Sequence, residues 1–179
     1  MDRVINPGKN MATINKTFVI ILTALLFTAL PGQAQHQKHG LTWYTDITQV
    51  YELSKKTNKP IFAFFTGSDW CGWCHKLERA VFEKPGFQQW AKKNVILLEV
   101  DFPRKKELPQ ALAEQNSGLQ NFFNVQGYPT IWMFNMDKDP KTNKYNISGL
   151  GSLGYPRAEA GKEEATFLTN ANAILNNKK

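Results

Sequence analysis

Cysteine is scarce in this chain of 179 residues: Cys71 and Cys74 are the only two. One pair excludes a multi-bridge disulfide scaffold and leaves at most one dithiol for redox work. Histidine is nearly as scarce, with three residues, two of which (His36 and His39) fall in the polar lead-in and not near the cysteines in sequence. No strand–helix glycine fingerprint for a dinucleotide is present, since Gly149, Gly151 and Gly154 follow no such pattern. No nicotinamide, flavin or metal cofactor is therefore expected. Apolar runs long enough for a bilayer are also missing: residues 17–30 make an apolar stretch of 14, where a spanning helix needs about 20. The basic excess is moderate, +7 overall. Its short clusters, Lys92-Lys93 and Arg104-Lys105-Lys106, suit helix ends and loops rather than a nucleic-acid surface.

What the N-terminus does contain is a leader pattern. Lys16 precedes the apolar run, and Pro31-Gly32-Gln33-Ala34 supplies small residues for cleavage. The pattern reads best from Met11. It predicts a signal peptide over 1–34, a flexible lead-in over 35–42 and one domain over 43–179. Export to a bacterial periplasm or the medium follows, with no membrane insertion after cleavage. Three basic residues and one acidic residue fall in 1–34, leaving +5 for the rest.

Within the domain, residues 47–56 carry helical periodicity behind Thr45 or Asp46 as cap. Asn58-Lys59-Pro60 ends that helix, and Pro60–Phe65 reads as a buried strand. Thr66–Asp69 is a turn, and a helix opens at the cysteines and runs to Pro85-Gly86. Val95–Asp101 is a second buried strand, apolar on both faces. A helical region over 108–123 with a soft break at Ser117-Gly118, strands at 131–134 and 145–150, and a closing helix over 163–175 complete the order. This predicts an α/β domain, a mixed sheet with helices on both faces.

Trp70-Cys71-Gly72-Trp73-Cys74 concentrates the chemistry. Two thiols one helical turn apart can attack and resolve in thiol–disulfide exchange. The helix start points unpaired N–H groups at the first thiol and favours its thiolate, which makes Cys71 the candidate nucleophile and Cys74 the resolving thiol. Asp69, two residues upstream, opposes that thiolate if its carboxylate lies close. Trp70 and Trp73 suit an apolar rim for a substrate protein; Trp70 fits the core equally well. With His75 the same letters spell Cys-x-x-Cys-His, the c-type haem attachment pattern. That reading lacks a well-placed second axial ligand, since Met133 and Met136 fall in or beside a strand. A zinc site lacks a fourth ligand.

Lys59-Pro60, Cys71-Gly72-Trp73-Cys74, Leu77-Glu78 and Val81-Phe82 together resemble the thioredoxin-like superfamily. The branch is the exported bacterial one that includes the C-terminal domain of the transmembrane disulfide-interchange reductase. The resemblance covers about 43–175 and implies the thioredoxin fold, a redox-active dithiol and no cofactor. It also implies protein disulfides as substrates and a partner protein that recharges the dithiol. It makes Tyr128-Pro129 a cis-proline corner that holds substrate beside the cysteines; read without it, Pro129 is an ordinary trans proline opening a strand.

Two departures stand out. Trp73 replaces the proline common between the cysteines. The strand before the motif carries no acid where the family has a buried carboxylate, and Leu97 replaces its lysine partner. Glu99, Asp101 or Glu78 are the substitutes, with Glu78 expected to face solvent and Asp101 to end its strand. The alternative function is a binding or chaperone-like module with a static disulfide, the 102–123 region serving as its partner surface.

Overall fold

The computed structural model describes residues 35–177. The leader expected over 1–34 lies outside the described residues. The segment 35–42 is not the loose lead-in expected. Strand β1 (Gln35–Lys38) turns at His39-Gly40 and pairs antiparallel with β2 (Leu41–Tyr44). Both turn residues have positive φ, 55° and 68°, the backbone of a tight two-residue hairpin turn.

Asp46 caps the first helix by accepting the backbone N–H groups of Thr48 (2.6 Å) and Gln49 (3.3 Å). Helix α1 (Ile47–Thr57) buries Val50, Tyr51 and Ser54, then stops at Asn58 in the left-handed region. Strand β3 (Ile61–Thr66) follows, buried at every residue. Helix α2 (Gly72–Leu77) runs directly into a π-helical segment, Glu78–Phe82. Helix α3 (Pro85–Asn94) opens on proline, which lacks the N–H that the first turn leaves unpaired anyway. Strand β4 (Ile96–Asp101), helix α4 (Gln110–Phe122), strands β5 (Thr130–Lys138) and β6 (Tyr145–Leu153) and helix α5 (Glu163–Asn176) complete the domain.

The six strands form one mixed sheet in the order β1-β2-β4-β3-β5-β6. The central strand β3 runs parallel to β4 and antiparallel to β5. Its side chains alternate between two cores. Phe62 and Phe64 join Cys74, Phe82, Phe87 and Phe167 beneath α2, α3 and α5. Ile61, Ala63 and Phe65 join Val50, Leu119 and Phe134 beneath α1 and α4. This is the expected thioredoxin fold, with helices on both faces.

Local departures from expectation have local reasons. Helix α4 passes through Ser117-Gly118 unbroken; a Cβ at Gly118 would meet nothing, so glycine there serves no packing need. Strand β6 continues through Gly149 and Gly151 to Leu153, where a loop was expected. A Cβ at Gly149 would lie 3.2 Å from the Trp132 ring and one at Gly151 3.0 Å from Ile174. The bare backbone is what lets the strand pass under those side chains.

Candidate active site

The turn between β3 and α2 sets the site. Trp70 and Cys71 both donate their backbone N–H to the Gly67 carbonyl, at 3.1 and 2.8 Å. That coil places Cys71 as the N-cap of α2, where its Sγ accepts the Cys74 N–H at 3.2 Å. Cys71 and Cys74 form a disulfide, with Cα atoms 5.3 Å apart. Cys71 retains 5% of its surface exposed and Cys74 none. Only the first cysteine therefore keeps any exposed surface, and the second lies against the aromatic core.

Trp70 lies across Gly67 so closely that a Cβ there would come within 2.4 Å of the ring. Its indole N–H donates to the Phe102 carbonyl (2.8 Å). The Arg104 guanidinium sits 3.7 Å over its ring, and Tyr128 meets it edge-on at 5.9 Å. Trp70 is thus a half-buried joint between the motif and two loops. Trp73 is different: at 58% it is among the most exposed large apolar side chains, leaning on Tyr155 (5.2 Å) under the Lys76 ammonium.

The Tyr128–Pro129 peptide is cis. Tyr128 stacks on Phe102 (5.3 Å) and also packs against the core that holds both cysteines. Burial raises the Tyr128 phenol above its usual range, opposed by a hydrogen bond with Gln120. The structure therefore gathers Trp70, Cys71, Cys74 and Tyr128 around one corner, with Pro129 attached to it. Trp73 is the exposed aromatic of the motif. Phe102, Arg104, Lys76 and Tyr155 complete the surroundings and were not singled out from sequence. Lys76 stands three residues after Trp73, a helical neighbour that spacing alone suggests. Arg104 and Tyr155 come from distant segments and leave no such trace.

Asp69 is engaged by the loop after β4. Its carboxylate accepts the N–H groups of Arg104 (3.0 Å) and Lys105 (2.7 Å), and the Arg104 bond foremost holds its carboxyl below the usual range. It ties the 102–106 loop to the motif. His75 Nε2–H donates to the Ser68 carbonyl (2.8 Å), so it fastens the turn rather than standing ready as an axial ligand. Ser68 in turn donates to Asp101 through both N–H (2.8 Å) and hydroxyl (2.6 Å). Asp101 ends β4 as expected.

Glu78 corrects an expectation. It is buried, not solvent-facing, at 7% exposure, and Glu99 is buried at 6%. The burial is tolerable because the β1–β2 hairpin delivers compensating groups. Lys38 Nζ lies 2.7 Å from Glu78 and 3.7 Å from Glu99, His36 is 3.2 Å from Glu99, and His39 is 3.5 Å from Glu78. Burial alone would raise the Glu99 carboxyl. The His36 hydrogen bond and the Lys38 charge outweigh it, and the net shift is downward. Neither acid is free.

Comparison with known proteins places this geometry. Residues 42–136 match a family model described as thioredoxin-like. The "Disulfide bond reductase DsbH" of Chlamydia pneumoniae is 37% identical over 92 residues, 51% of this chain and 55% of that protein. The chain thus spans about half the length of that relative. The "Thiol:disulfide interchange protein DsbD" of Haemophilus influenzae is 32% identical over 93 residues, 52% of this chain and 14% of that protein. A solved structure of a "DsbH Oxidoreductase" superposes with a TM-score of 0.63 at 26% identity, covering 86% of this chain and 94% of that one.

Proposed function

Because the chain belongs to the thioredoxin-like family, we propose that it is an exported thiol–disulfide oxidoreductase that reduces or isomerises disulfides in other proteins. The observation that carries this reading is the unequal placement of the pair: Cys71 caps the helix, accepts the Cys74 N–H on its sulfur and keeps 5% of its surface exposed, whereas Cys74, one turn on, keeps none. An attacking thiol needs access, and a resolving thiol needs only to reach the first. The names of the relatives, a reductase and an interchange protein, support the activity and its direction. The leader pattern over 1–34 supports export, and among the described residues no helix is long and apolar enough to cross a membrane.

In the reduced protein the Cys71 thiolate attacks one sulfur of a substrate disulfide. A Cys71–substrate bond forms, and the substrate's other sulfur leaves as thiolate and takes up a proton. Cys74, having lost its proton, then attacks Cys71 Sγ. The Cys71–Cys74 disulfide closes, and the second substrate sulfur leaves to be protonated. Two electrons pass from the dithiol to the substrate. A dithiol partner protein returns them by the same exchange in reverse. The helix N-terminus stabilises the Cys71 thiolate at both stages, as attacker and as leaving group. Trp70, Trp73 and the Tyr128–Pro129 corner are the surfaces that hold the substrate strand.

Removing the resolving thiol tests the assignment. A Cys74→Ala variant produced with its own leader is expected to accumulate mixed disulfides through Cys71, visible as adducts on non-reducing gels. The double variant Cys71→Ala/Cys74→Ala is expected to form none. No adducts with Cys74→Ala would favour the binding module with a static disulfide, and adducts that persist in the double variant, which has no thiol, would show that the bands are not mixed disulfides.

A further inference from the structure

Which proteins such a dithiol serves is written in the charge around it, and this inference rests on the oxidoreductase reading above. The rim is cationic in a particular way. Arg104 lies 3.7 Å over the Trp70 ring, and Lys76 lies 4.7 Å from Trp73 and 5.0 Å from Tyr155. Among the described residues no carboxylate is within ion-pair distance of either cation. An aromatic face fixes a cation in place without neutralising it, whereas a carboxylate would cancel its field. Lys105 is exposed beside Arg104.

The nearby acids are already engaged. Asp69 accepts the backbone N–H groups of Arg104 and Lys105. Asp101 is held by Ser68 and by Lys106 at 3.2 Å. Glu107, exposed on the same loop, offsets part of the excess without pairing. The two ring-borne cations stand on the two tryptophans of the motif, Arg104 on Trp70 just before Cys71 and Lys76 on Trp73 just before Cys74. We propose that this rim selects polypeptides bearing acidic residues beside the disulfide to be exchanged. The tryptophans would receive the apolar part of the strand, and Arg104 and Lys76 the carboxylates.

The test uses the full chain, reduced with dithiothreitol and freed of it, and two synthetic peptides. Each peptide closes one disulfide, flanked by glutamates in one and by lysines in the other. Single-turnover rates are divided by each peptide's rate with dithiothreitol alone, which removes intrinsic reactivity. The glutamate peptide is expected to react roughly three- to ten-fold faster at low salt, with the ratio approaching unity at high salt as screening shortens. The charge reversal Lys76→Glu/Arg104→Glu is expected to invert the preference. Lys138→Glu, which also alters a lysine over an aromatic ring (5.3 Å from Tyr145), is expected to leave it alone. It sits at the far end of β5, about 26 Å from Thr130 at about 3.3 Å per residue.

Equal normalised rates at low salt would overturn the proposal, as would a response to Lys138→Glu about half that of the double reversal, because the single change shifts the charge by half as much and the effect would then follow net charge alone. If neither peptide is reduced, the oxidoreductase reading itself fails. Reduction of both at one rate removes only the selectivity.

Discussion

Gly67 and Trp70 show how much of the site hangs on single side chains. The turn closes because two N–H groups meet the Gly67 carbonyl, and the indole lies flat only because nothing projects from Gly67. A Gly67→Ala change therefore sets a methyl against the Trp70 ring. It is expected to cost about 1–3 kcal/mol through overpacking and to shift the tryptophan emission as the indole leaves Arg104 and Phe102. Unchanged emission and stability would show that the ring yields without consequence. The cysteine pair was legible in the sequence because four adjacent letters encode it. The seat of Trp70 was not, since its partners Phe102, Arg104 and Tyr128 lie more than thirty residues away. The partners of Asp69 were hidden for the same reason: the two N–H groups it accepts lie 35 and 36 residues away.

At the scale of elements, the β1–β2 hairpin has a function that its polar sequence hides. His36 and Lys38 look like a solvated lead-in until Glu99, 63 residues away, and Glu78 on the helix beneath are seen to need them. The missing acid before the motif is thus not the whole electrostatic account of this core. Two carboxylates enter from other elements, each with its own counter-groups. The folded Glu99 carboxyl lies below its usual 4.5 despite burial, so it contributes stability that is fully present above about pH 4.5 and fades as pH falls through the lower folded value. Glu99→Gln is expected to be less stable at pH 7 by about 1–3 kcal/mol. The gap to the parent chain should narrow as pH drops below about 4.5. Denaturant unfolding at pH 7 and pH 3.5 checks this, and a gap independent of pH would mean that Glu99 is held for its shape rather than its charge. The main helices and strands were easier to read. Strands apolar on both faces demand cover on both sides, and Asp46, Asn58 and Pro85 mark helix ends through their own backbone chemistry.

Over the described residues the domain is a sheet covered on both faces, with the Cys71–Cys74 pair just beyond the end of the central strand. The order of elements followed from periodicity, and the family from the motif set. The cis Tyr128–Pro129 peptide was legible only through resemblance, because nothing in the letters Tyr-Pro distinguishes a cis bond. The cationic rim assembles from the α2 helix, the loop after β4 and the segment after β6, so only the folded chain reveals it. The proposed function requires a dithiol that opens and closes, and its equilibrium potential tests that claim most directly. Titrating the protein in dithiol/disulfide buffers while following tryptophan fluorescence should give one reversible two-electron transition. The account predicts a midpoint between about −120 and −270 mV, the range of exchange-active dithiols. A midpoint below about −300 mV, where structural disulfides resist reduction, would contradict it.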